Sequence, residues 1–133
     1  MWSAATDMLA LEEIPDDPLD VSTLSRDPRV GEIYSADELV WHGPFKRQTL
    51  QALAAALQTI NAGPKLGDLP TLWLHGEEDQ LVPLNETRAG IETLAFTNLE
   101  EVIYPEARHE VFNETNKDEV LTKTAEFIDR VTP

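Results

Sequence analysis

At 133 residues the chain is long enough for one domain with a modest core and short for a complete enzyme of the larger α/β classes. Hydrophobic residues at 41% and charged residues at 26% describe an ordinary globular chain, and the lack of cysteine excludes disulfides, thiolate metal sites and a cysteine nucleophile together. Lys+Arg number 10 against 25 Asp+Glu, and the resulting formal charge of −15 excludes electrostatic binding of nucleic acid phosphates.

The opening stretch "MWSAATDMLALEEIPDD" has neither a basic n-region nor a long apolar run, so it reads as neither a secretory signal nor an anchor, and a cytoplasmic chain is expected. Residues 1–24 alternate small apolar clusters with the acidic turn "PDDPLD", which predicts at most one short helix followed by irregular chain. In "SRDPRVGEIYSADELVWHG", Pro28 stands where a first helical residue belongs; a helix is predicted to about Tyr34, then a break and a short apolar segment ending at Gly43. Phe45 to Gly63 is the clearest helix, with Leu50, Leu53, Ala54, Leu57 and Ile60 on one stripe and Gly63 as its stop.

After "PKLGDLP" the pattern changes to strands alternating with helices. "TLWLHG", Thr71 to Gly76, is a short apolar run between Pro70 and Gly76, as in a buried parallel strand. A helix from about Asn85 to Ala95, a second strand "LEEVIYP" from Leu99 to Pro105 and a closing helix from about Lys117 to Val131 complete the series. Such alternation predicts parallel strands joined by right-handed crossovers, with helices on both faces. Two strands leave a sheet edge bare, so partner strands are expected from another segment or from a second copy of the chain.

Open α/β sheets gather function in the loops at the carboxyl ends of their strands, here "HGEEDQLVP" (75–83) and "PEARHEVFNE" (105–114). An acid from the first and a histidine from the second can meet, the carboxylate fixing the imidazole tautomer and stabilising its protonated form. Asp79 and His109 are the natural pair. From spacing alone His109 also reads as a surface loop histidine, and Asp79 as a turn or capping acid with Glu77 and Glu78 as rivals. "HEVFN" lacks the second histidine of a zinc-binding H-E-x-x-H, since Asn113 stands in its place, and no acidic run has the spacing of a calcium loop; neither metal nor cofactor is expected.

These stretches resemble the α/β hydrolases, and within them the branch of monoacylglycerol lipases and serine aminopeptidases. "LHGEEDQLVP" is similar to the strand and loop that carry that family's triad aspartate, which maps to Asp79. "YPEARHEVFNE" is similar to the segment carrying its triad histidine, which maps to His109, and "LSRDPRVGEIYSADELVWHG" resembles the cap of the monoacylglycerol lipase group. The resemblance implies the C-terminal part of an α/β-hydrolase fold, with a helical cap over residues 1–63 and a β-α-β-α core segment over 64–133. It implies hydrolysis of small lipid esters, with an apolar cap (Trp2, Met8, Leu9, Leu11, Trp41, Phe45) that admits an acyl chain and touches a membrane surface.

The family's triad runs Ser, Asp, His, with the serine in a G-x-S-x-G elbow. Serine occurs in this sequence only at 3, 22, 25 and 35, and none of these stands in that motif. The resemblance therefore implies a chain that supplies cap, aspartate and histidine, is inactive alone, and is completed by an N-terminal half or a second copy. The alternative is a non-catalytic binding or assembly module that recruits a partner through its bare sheet edge.

Overall fold

The computed structural model describes residues 18–132. The short helix expected near the start, and Trp2, Met8, Leu9 and Leu11 with it, lie outside the described residues. A 3₁₀ turn (Val21–Thr23) leads to helices α1 (Pro28–Ala36) and α2 (Arg47–Ala62), strand β1 (Thr71–Gly76), helix α3 (Leu84–Thr93), strand β2 (Leu99–Tyr104), a second 3₁₀ turn (Val111–Asn113) and helix α4 (Lys117–Val131).

Local chemistry accounts for most of these boundaries. Asp27 caps α1, its carboxylate accepting from the amide of Arg29 at 3.1 Å, while Pro28 occupies a first-turn position where a missing amide costs nothing. The apolar segment expected up to Gly43 is instead a series of turns. Asp37 accepts from the amide of Leu39 at 2.8 Å, and the Trp41 indole donates to the carbonyl of Pro44 at 3.0 Å. Leu39 is 96% exposed, so its hydrophobicity finds no burial among the described residues.

Helix α2 ends at Gly63, as its sequence implies, but its apolar stripe is only partly used. Leu50 is buried, Leu53, Ala54 and Leu57 are half-buried, and Ile60 is exposed. Helix α3 stops two residues before the expected Ala95, because Ala95 takes a left-handed conformation (φ 52°) that breaks the hydrogen-bond ladder. Strand β2 ends at Tyr104, since Pro105 has no amide to donate to a ladder.

The two strands pair in parallel, in register from Thr71 opposite Leu99 to Gly76 opposite Tyr104. Alternation of side chains assigns the faces. On one face the Arg88 guanidinium of α3 lies 5.6 Å from the Trp73 ring and bonds the Glu101 carboxylate at 2.6 Å. On the other, Tyr104, Ala107, Val111 and Val120 form the core, with Leu74 and Val102 packed against it, and Glu100 pairs with Lys123 and Arg130 of α4. Thus α3 and α4 cover opposite faces. Among the described residues the sheet has these two strands and no more, which leaves its outer edges without ladder partners.

Candidate active site

Both candidate residues come from loops at the carboxyl end of the sheet. Beyond β1 the chain folds back over the loop that follows β2: the amide of Glu77 donates to the carbonyl of Tyr104 at 3.0 Å, and that of Glu78 to Ala107 at 2.9 Å. Gly76 makes this approach available, because a Cβ at that position would collide with the carbonyl oxygens of Ala107 and Arg108.

Asp79 sits where these loops meet and is 7% exposed. Its Oδ1 accepts from the amides of Leu81 and Val82, both at 2.9 Å, and its Oδ2 lies 3.0 Å from His109 Nδ1. Glu77 and Glu78 point to solvent, so of three neighbouring acids only Asp79 meets the imidazole. Burial pushes the Asp79 carboxyl up, but the hydrogen bond from His109 and those from Val82 and Leu81 outweigh it and hold the group below its ordinary value. The reciprocal effect raises His109: the Asp79 hydrogen bond dominates, burial opposes it, and the charges of Asp79 and Glu110 add to the rise.

An ionised aspartate accepts only, so the Nδ1 of His109 carries the proton in this pair and Nε2, across the ring, is the basic atom. The His109 side chain is 35% exposed while that of Asp79 is nearly enclosed, which leaves the imidazole open to solvent and its carboxylate partner protected.

Three side chains that the sequence reading passes over belong to the same construction. His75, buried, donates from Nε2 to the carbonyl of Val82 at 3.0 Å and stands 3.7 Å from Asp79 Oδ2, bracing the acid's loop from below. Its spacing four residues before Asp79, at the end of a strand, is the only sequence signal for it. Glu114 and Arg26 form an ion pair at 2.9 Å beside the histidine loop. These two lie 88 residues apart, so no local pattern joins them. In "HEVFN", Glu110 and Asn113 bond each other at 2.7 Å around a 3₁₀ turn, and among the described residues no group of three or more His, Asp or Glu side chains gathers to hold a metal.

The family model described as serine aminopeptidase, S33, matches residues 4–116. The chain belongs to this family. A monoacylglycerol lipase of Mycolicibacterium smegmatis is 33% identical over 115 residues, a match covering 86% of this chain and 41% of that protein. Among solved structures, a soluble variant of the monoglyceride lipase from Saccharomyces cerevisiae, in complex with a substrate analog, superposes with a TM-score of 0.67 at 21% identity, covering 87% of this chain and 43% of that one. The monoacylglycerol lipase of Paleococcus ferrophilus gives the same TM-score and identity over 93% of this chain and 49% of its own.

This S33 chain thus spans less than half the length of each of these relatives. The structural likeness identifies its parallel strand pair and flanking helices as part of an α/β-hydrolase fold.

Proposed function

We propose that this S33 chain supplies the acid and the base of a serine ester hydrolase that acts on monoacylglycerols or similar small lipid esters. One observation carries the reading: the 3.0 Å contact between Asp79 Oδ2 and His109 Nδ1, made at the carboxyl ends of adjacent parallel strands. Similarity to a monoacylglycerol lipase supports the substrate class.

In this mechanism His109 Nε2 takes the proton from a serine hydroxyl as the oxygen attacks the ester carbonyl, then returns it to the leaving alcohol. Asp79 holds the imidazole as its Nδ1–H tautomer and stabilises the imidazolium formed during attack. The serine elbow and the oxyanion donors come from outside this sequence, on an N-terminal half; that half or a second copy of the chain completes the sheet. Residues 1–63 act as a cap. Its exposed Ile33, Leu39, Trp41 and Phe45 offer an apolar surface for an acyl chain and for contact with a membrane, in a protein that works in the cytoplasm.

The direct test is hydrolysis of a short p-nitrophenyl ester by the chain alone and by the chain mixed with the complementary N-terminal segment of an S33 hydrolase. Turnover is expected only in the mixture, and His109→Ala abolishes it. Robust turnover by the chain alone that survives His109→Ala refutes the assignment.

The sheet edge, which has no ladder partner among the described residues, favours a second reading, a binding module that recruits a partner by strand addition. Such a module would elute as a defined oligomer and unfold cooperatively, whereas a half-hydrolase would associate without a fixed stoichiometry.

A further inference from the structure

The Glu114 carboxylate has a side chain that is 0% exposed, and four donors converge on it. Its Oε1 accepts from the amide of Arg26 at 3.1 Å and from the amide of Arg108 at 2.8 Å. Its Oε2 accepts from Arg26 Nε at 2.9 Å and from the amide of Thr115 at 3.0 Å. Burial alone would push this carboxyl up; the donors reverse that and keep it charged.

The donors come from two places. Arg26 belongs to the segment entering α1, while Arg108 and Thr115 lie on either side of His109 in the loop after β2. Further bonds join the same two segments. Arg108 donates to the carbonyls of Ser22 and Ser25, the amide of Glu110 donates to Leu24 at 2.8 Å, and the Ser25 hydroxyl donates to the carbonyl of Asn113 at 3.0 Å. Arg26 also reaches Asn116 Oδ1 at 2.9 Å. Against this, among the described residues the imidazole itself has one side-chain bond, to Asp79.

We propose that Glu114 and Arg26 are positioning residues for the candidate base: the buried Glu114 carboxylate, held by the half-buried Arg26, clamps the loop carrying His109 to residues 22–26 and thereby sets the imidazole against Asp79. The inference rests on the Asp79–His109 reading above and deepens it. A buried charge that loses one of its donors is left uncompensated, so the loop must move to find water or another partner. Arg108 is adjacent to His109, and any such movement changes the Nδ1 to Oδ2 distance directly. The clamp also ties the placement of α1 to that of the base.

The test is a histidine ring NMR titration of the ¹⁵N-labelled chain, wild type against Glu114→Gln and Arg26→Lys, with exposed His42 as internal control. With Asp79 bonded to its ring, the wild-type His109 midpoint is expected above that of an ordinary histidine. Both substitutions are expected to lower its proton affinity about three- to tenfold, equal to about half to one pH unit, with far-UV circular dichroism unchanged. Should Glu114→Gln fail to fold, Arg26→Lys, which keeps the charge but loses the forked donation, decides by the same readout. An elevated wild-type midpoint that folded variants leave in place overturns the positioning role alone. A wild-type midpoint at the ordinary histidine value overturns the Asp79–His109 pair and the hydrolase reading with it.

Discussion

Asp79 keeps its charge while nearly enclosed because its two oxygens divide the work, Oδ1 taking two backbone amides and Oδ2 facing the imidazole. Linkage turns this into a pH dependence. His109 has a raised folded pKa, so its share of stability is fully present below its unfolded value of about 6.5 and fades as pH rises through the folded value. Asp79 has a lowered folded pKa, so its share is present above its unfolded value of about 3.9 and fades as pH falls through the folded one. The pair therefore stabilises the chain most between about pH 4 and 6.5. Replacing Asp79 by Asn is expected to bring the His109 NMR midpoint down, and the difference in denaturation midpoint from wild type should be greatest in that window and shrink toward pH 9. A substitution at Gly76 acts by contact instead. Gly76→Ala drives a methyl into the carbonyls of Ala107 and Arg108, which should cost roughly 1–3 kcal/mol by urea denaturation and push the two loops apart.

At the scale of elements, α2 and α4 differ in what they bury. Helix α4 places Val120 fully inside the cluster of Tyr104, Ala107 and Val111, and its acidic first turn and basic last turn suit its dipole. Val120→Ala removes two methyl groups from that cluster, with an expected loss of about 2 kcal/mol in chemical denaturation. Helix α2 has good intrinsic propensity but only Leu50 fully buried. Isolated helices of such length are marginal in water, and tertiary packing has to hold them. Native-state hydrogen exchange is accordingly expected to be faster along Arg47–Ala62 than along Lys117–Val131 or the strand pair. Comparable protection of α2 and α4 would contradict this ranking.

At the scale of the molecule, the described residues form a two-stranded sheet with a helix on each face, which is a marginal unit. Its described surface exposes apolar side chains in several places, including Leu121 and Ile128 on α4 and Leu39, Trp41 and Phe45 between α1 and α2. The net charge of −15 opposes indiscriminate aggregation without covering those patches. The chain by itself is expected to bind the dye ANS strongly and to elute with a size that depends on concentration; addition of the complementary hydrolase segment should reduce dye binding in proportion to the complex formed. Dye binding that stays low, with a sharp cooperative melt, would favour the self-sufficient module instead.

Composition and periodicity by themselves determined the order of strands and helices in residues 71–131, because a buried parallel strand needs an unbroken apolar run and a half-buried helix needs a stripe, and both are local patterns. The loop positions of Asp79 and His109 follow from the same patterns, and the motif resemblance chose them as a pair. Tertiary structure supplied the reason that Asp79 and not Glu77 or Glu78 meets the imidazole, since that depends on how sharply the chain turns after Gly76. It alone brought Glu114 to Arg26, and it alone left the α2 stripe only partly covered, with Leu50 buried and Ile60 exposed. Contacts between distant segments, and how much of a helix face finds cover, are properties of the assembled chain that no local spacing encodes.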